Sequence, residues 1–189
     1  MWYLAIIALL MLGTYLLLMA LRFGIPAMVS DTYYQLQYTT GSDTCYQSLH
    51  TTGSEIQPFR KSRNMGWLFS LVMVAVGFLM LVCLLDTGRG IQFLAFLGCA
   101  GLCFVGCAPN YCDRDAYRVH KSAAIIAAAG SVGWCMSVSI IPTLVVLIAY
   151  CEYAYHCRDD KAAHPWYWAE VCGFLDVFLT YFTMGLPGC

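Results

Sequence analysis

The chain has 189 residues, of which 60% are hydrophobic and only 11% are charged, against about 25% charged residues in soluble domains. A water-soluble fold of this size cannot bury that much apolar side chain, so we expect the lipid bilayer to be part of the solvent. This composition excludes a soluble enzyme, a secreted disulfide-rich mini-protein and a disordered chain. The formal net charge of −1 offers no basic surface for nucleic acid, which is therefore not an expected partner.

Six apolar stretches along the chain are long enough to cross a bilayer as helices, since a core of about 30 Å requires roughly 20 residues. The predicted spans cover residues 2–21, 66–85, 91–108, 119–136, 139–156 and 166–184. The fourth and fifth divide one long run at a tight turn near residues 134–139, with Pro142 in the first turns of the fifth. We predict an all-α, polytopic transmembrane bundle that forms a single integral membrane domain over residues 1–189.

Lysine and arginine residues are divided unequally between the two sets of predicted loops. Nine of the ten lie in the first, third and fifth loops or at their boundaries, and only Arg89 lies on the other side. Because basic residues are enriched in cytoplasmic loops, we predict that the first, third and fifth loops face the cytoplasm. Both chain termini are then non-cytoplasmic.

The first predicted loop, residues 22–64, is long enough to be expected to have structure or a function of its own. Residues 34–38 alternate apolar and polar side chains, a glycine-containing turn follows at residues 41–43, and residues 44–49 can pair back. We predict a short β-hairpin, or else an irregular loop, on the cytoplasmic side between spans 1 and 2.

Two acidic residues lie within the last predicted span, where a charge is costly and is commonly functional. Asp176 is about 15 Å into the span, near the midplane, and its expected partners are hydroxyls or amides on facing helices. Glu170 lies closer to the cytoplasm, at the depth of His120 and Lys121, with which we expect an ion pair or a hydrogen bond. The acids form either a proton or ligand relay or structural interhelical hydrogen bonds, and both interpretations stay open.

The eleven cysteines include no Cys-x-x-Cys pair, so the thioredoxin-like and zinc-ribbon motifs are absent. Cys99, Cys103 and Cys107 recur every four residues among glycine and alanine. This pattern is typical of close helix packing in membranes. The cysteines of the outer face allow one disulfide, for which the sequence selects no pair.

Short motifs recur in a definite order along most of the chain. A segment rich in serine and tyrosine begins at Ser30, the small-residue third span ends in an Ala-Pro pair at residues 108–109, and His120 opens the fourth span. On these residues the chain resembles a group of small bacterial six-helix membrane proteins without a known activity. The resemblance implies a location in the bacterial inner membrane. It also implies that Ser30, Asp31, Tyr34 and His120 meet at the cytoplasmic mouth of the bundle.

The sequence favours a non-enzymatic protein that binds a lipid or a small molecule at this mouth. Membrane lipids are the expected partners, together with a second copy of the chain, and no cofactor is expected. The candidate site residues are Ser30, Asp31, Tyr34, His120, Glu170 and Asp176.

Three alternative functions stay open. A membrane-embedded, metal-dependent hydrolase or transferase acting on lipid headgroups would use His120 as a base or metal ligand, assisted by Asp113 or Asp115. The missing His-x-x-x-His pair of ceramidase-like membrane hydrolases argues against that activity. A small transporter or channel would need oligomerisation, because six short spans enclose little volume. A scaffold would engage its partner through residues 39–54, an insertion relative to the group that the chain resembles.

Overall fold

The computed structural model describes residues 1–37, 65–109, 114–158 and 163–184. Within these ranges the chain is helical, with six long helices, one short helix and no β-strand, so the all-α prediction is confirmed there. The elements are α1 (Trp2–Phe23), a 3₁₀ turn (Val29–Asp31), α2 (Thr32–Gln37), α3 (Trp67–Asp86), α4 (Gln92–Cys107), α5 (Arg114–Val138), α6 (Ile140–His156) and α7 (Pro165–Thr183).

Three of these helices, α1, α3 and α5, are long and apolar enough to cross a membrane. Helices α4 and α6 are apolar too but have 16 and 17 residues. Large apolar side chains face outward along the bundle: Leu10, Phe104 and Ile141 are 61%, 60% and 67% exposed. Soluble proteins rarely expose apolar surface so extensively, and together these features indicate a membrane protein.

Hydrogen bonds between separate segments show which helix ends lie together. At one end, the Cys83 thiol in α3 donates to the carbonyl of Met1 at 3.6 Å. At the same end, the Trp134 indole of α5 donates to the carbonyl of Arg89, in the α3–α4 connection, at 3.2 Å. At the other end, the first turns of α5 contact the end of α4. Neighbouring long helices therefore alternate in direction.

Helices α4 and α5 approach each other closely at glycine residues. A Cβ atom added to Gly98 would lie 2.9 Å from the backbone nitrogen of Ser131, and one added to Gly101 would lie 2.6 Å from that of Ala127. A Cβ on Gly130 would lie 2.6 Å from the nitrogen of Gly98. Because lipid provides no hydrophobic force between helices, close packing of this kind is a main source of their association.

The cysteines that recur every four residues along α4, Cys99, Cys103 and Cys107, form a stripe that contributes to packing against α3. A Cβ added to Gly77 of α3 would lie 2.8 Å from the sulfur of Cys103. The same thiol donates to the carbonyl of Val74 at 3.7 Å. Cys99 is buried as well, whereas Cys107 is exposed. These contacts support the packing interpretation for the first two cysteines of the stripe.

The predicted β-hairpin is wrong where the structure describes it, because residues 34–37 belong to helix α2. Tyr33 and Leu36 are three residues apart and so lie on one face of that helix, against the start of α3. The Tyr33 ring contacts the edge of Phe69 with centroids 6.3 Å apart, and the carbonyl of Leu36 accepts a hydrogen bond from Met65. A short segment in which apolar and polar residues alternate can also form a helix, which here packs Tyr33 and Leu36 against their neighbours. The rest of the predicted hairpin, residues 38–49, lies outside the described residues.

Replacing Gly101 by alanine is expected to lower the free energy of unfolding by about 1–3 kcal/mol, the usual cost of overpacking a close contact. Thermal unfolding in dodecyl maltoside would record a lower midpoint. Gly13→Ala is the matched control, because an added Cβ there meets nothing within 4 Å and alanine favours the helix. Equal midpoints for the two variants would contradict the close approach of α4 and α5.

Candidate functional site

A short polar turn follows α1 and holds two of the predicted site residues. Helix α1 stops before Gly24, whose φ of +82° is one that glycine adopts without strain. The chain then enters the 3₁₀ turn Val29–Asp31, where the Asp31 carboxylate accepts a hydrogen bond from the Met28 N–H at 3.0 Å. This contact satisfies a backbone donor at the start of the turn, as an N-terminal cap does.

The turn is buried against α1. The Thr32 hydroxyl donates to the carbonyl of Val29 at 2.7 Å and lies 2.6 Å from the hydroxyl of Tyr15 on α1. Ser30, Asp31 and Thr32 are 7%, 5% and 0% exposed. Polar side chains buried to this extent need hydrogen-bond partners, so the turn is a packed part of the bundle.

Glu170 connects α7 to this turn. Its Oε2 atom accepts a hydrogen bond from the Val29 N–H at 2.6 Å, across 141 residues of sequence. The Asp31 carboxylate interacts electrostatically with Glu170 and with His120. The structure thus places four of the six predicted site residues at one end of the bundle: Ser30, Asp31, His120 and Glu170.

His120 lies in the second turn of α5 and is 8% exposed. Its Nδ1 atom is 2.9 Å from the carbonyl oxygen of Ala108, just after α4. Because a carbonyl only accepts, Nδ1 is the donor. The sequence predicts that Glu170 contacts His120 or Lys121. The hydrogen bond that the structure shows for Glu170 is to the backbone N–H of Val29.

Three further residues were predicted at this end of the bundle as site residues or metal ligands: Tyr34, Asp113 and Asp115. The structure describes only some of their side chains. Tyr34 belongs to α2, but its side chain and the whole of Asp113 lie outside the described residues. Asp115 is exposed in the first turn of α5. Over the ranges that the structure covers, no three His, Cys, Asp or Glu side chains are grouped so as to hold a metal ion.

Asp176 belongs to a second polar group, near the connection between α5 and α6. The Thr143 hydroxyl of α6 donates to the two carboxylate oxygens at 3.1 and 3.2 Å. Cys135 of α5 and Thr180 of α7 lie beside the same carboxyl group. Cys135 and Thr143 are three residues from the nearer ends of their helices, and Asp176 is seven residues from the end of α7, about 10 Å along the helix axis.

Hydroxyl or amide partners were expected for Asp176, and Thr143 is one of that kind. The sequence identified none of the four hydroxyls in these two polar groups, which are Tyr15, Thr32, Thr143 and Thr180. A hydroxyl in an apolar helix is commonly a hydrogen-bond donor to a neighbouring helix. That signal is present in the sequence for Thr143 and Thr180, although it does not identify the acceptor.

An apolar groove of about 310 Å³ runs between α1 and α7. Six residues of α1 between Leu9 and Ala20 form one wall, and six of α7 between Tyr167 and Phe178 form the other. Beyond one end, the rings of Trp2 and Phe182 touch edge to face, with centroids 6.5 Å apart. Near the other end, between the wall residues Trp168 and Val171, Glu170 of α7 is bonded to the 3₁₀ turn.

No family model, no curated protein and no solved structure matches this chain. Its resemblance to small bacterial six-helix membrane proteins stays an expectation that depends on short motifs. Function has to be inferred from the residues and their geometry.

Glu170→Ala is expected to detach the 3₁₀ turn from α7, because the part-buried Val29 N–H loses its acceptor, at a cost of about 1–3 kcal/mol. Amide hydrogen exchange, followed by mass spectrometry, should become faster in a peptide that covers residues 24–37. Glu170→Gln keeps an acceptor oxygen and should have a smaller effect.

Glu152→Ala is the control for removal of a carboxylate. Glu152 is exposed and pairs only with the exposed His156, at 3.1 Å, and such surface pairs contribute about 0–1 kcal/mol. Unchanged exchange of residues 24–37 in Glu170→Ala would show that the contact to Val29 does not hold the turn.

Proposed function

We propose that this chain is a small multi-pass protein of the bacterial inner membrane that binds a lipid, or another small amphiphile, at its cytoplasmic mouth. In this proposal all six long helices cross the membrane and both termini are non-cytoplasmic. The alternating directions of neighbouring helices support this topology. So does the position of Arg89, which lies with Met1 at the end of the bundle opposite to His120.

The observation that carries the proposal is the groove between α1 and α7, whose wall on α7 includes Trp168 and Val171, the wall residues on either side of Glu170. Its wall on α1, from Leu9 to Ala20, is about 16 Å long at 1.5 Å per residue. The hydrocarbon region of one leaflet is about 15 Å, half of the bilayer core. A single acyl chain of one leaflet therefore matches the length and the apolar character of the groove.

The polar residues at the end of this groove suit the head of such a ligand. Asp31 and Glu170 are carboxylates, and Ser30 and His120 lie at the same end. Carboxyl oxygens accept hydrogen bonds from hydroxyl and ammonium donors. We expect a ligand with an apolar chain and a headgroup that donates hydrogen bonds.

Gly13→Phe is expected to displace this ligand, because Gly13 lines the groove and has free space beside it. Native mass spectrometry of detergent-purified protein should show one bound lipid fewer than in the wild type. Ile148→Phe is the matched control, because Ile148 is 66% exposed on α6 and does not line the groove.

Two results would overturn the proposal. One is an unchanged lipid complement in Gly13→Phe, which would exclude the groove as the binding site. The other is one zinc ion per chain that disappears in His120→Ala, which would favour the metal-dependent hydrolase. Metal analysis of the same samples distinguishes the lipid-binding protein from the metal-dependent hydrolase.

A further inference from the structure

A second groove, of about 540 Å³, lies between α4 and α5. Its rim includes Phe96 and Phe104 of α4 and Ile126 of α5, which are 48%, 60% and 45% exposed. Gly101 and Ala123 also line it, at the close crossing of the two helices. The small residues leave an open groove between the large apolar side chains of the two helices.

The end of this groove near the start of α5 is basic. Arg118 and Ser122 line it, four residues apart and therefore on one face of the helix. Lys121 follows Arg118 by three residues, one helical turn, and its ammonium group lies 5.9 Å from the centroid of the Tyr117 ring. Asp115 is exposed one turn earlier, and within the described ranges no ion pair joins it or any other carboxylate to Arg118 or Lys121.

We propose that this groove binds one anionic phospholipid, with its phosphate at Arg118 and Ser122 and an acyl chain between the two helices. A guanidinium group binds phosphate oxygens in a bidentate geometry, and a serine hydroxyl can donate to a further oxygen. The candidate membrane span of α5 begins at Asp115, which places Arg118 near the depth of lipid headgroups. Basic pockets between transmembrane helices commonly bind anionic headgroups in this way.

The charge at the end of the groove selects the class of lipid. A zwitterionic phospholipid would bring an ammonium group close to two cations, and this repulsion reduces its net attraction. An anionic phospholipid has no such opposing charge. The site is separate from the groove between α1 and α7, whose lining residues include no charged side chain, so neither proposal depends on the other.

The test uses the full chain, purified in detergent and freed of lipid. Phosphatidylglycerol and phosphatidylethanolamine with identical acyl chains are titrated separately, and bound lipid is measured by native mass spectrometry. The wild type is expected to bind phosphatidylglycerol more tightly. Affinity for it should fall about fivefold for each positive charge removed, and about thirtyfold in the variant Arg118→Gln/Lys121→Gln.

Arg158→Gln is the matched control, an exposed basic residue after α6 that does not line the groove, and it should bind phosphatidylglycerol as the wild type does. Ser122→Trp keeps both charges and fills the groove, so it should also lose this lipid. Gly13→Phe should retain it, which separates this site from the groove between α1 and α7.

Three outcomes would overturn the inference. Equal affinity of the wild type for the two lipids would indicate non-selective contact with the bilayer. Unchanged binding in the double variant, with its thermal unfolding midpoint preserved, would exclude the basic residues. Displacement of the lipid by millimolar inorganic phosphate would show a site for the free ion without a role for the acyl chain.

Discussion

The close approach of α4 and α5 is the contact on which the rest of the bundle depends. Lipid tails are as apolar as the helices, so burial alone does not make two helices associate, and close packing has to supply the difference. Gly98, Gly101 and Gly130 remove the side chains that would hold the two backbones apart. Gly77 and Gly106 do the same between α3 and α4. These three helices form the tightly packed part of the protein.

Helix α7 buries Tyr167, Phe178 and Tyr181 in the core and is attached by polar contacts as well. A Cβ added to its glycine, Gly173, would meet nothing within 4 Å. The hydrogen bond from Thr143 to Asp176 connects α7 to α6, and that from Val29 to Glu170 connects it to the turn after α1. Neither hydrogen bond requires a close approach of two helix backbones, which leaves room for the groove between α1 and α7.

The helices could be predicted because an apolar stretch of sufficient length has few other structures available in a bilayer. Each predicted span coincides with a long helix, and the last, residues 166–184, differs by one residue at each end from Pro165–Thr183. The largest difference is at α5, which begins at Arg114 and not at residue 119, because a helix continues beyond the apolar stretch that defines a span. Helix α2 could not be predicted, since its structure depends on burying Tyr33 and Leu36 against α3.

The candidate site could be predicted only as far as topology determines it. Ser30, Asp31, His120 and Glu170 were expected at one end of the bundle because the predicted spans place them there. The acceptor role of Glu170 was not predictable, because its donor is a backbone N–H and every residue except proline has one. The role of Arg118 in the second groove was not predictable from the sequence either. In the sequence it is one of several basic residues that indicate a cytoplasmic loop, and its position at the end of a groove exists only because α4 and α5 cross so closely. The contact that holds the bundle together is thus also the one that places Arg118 at the end of a groove.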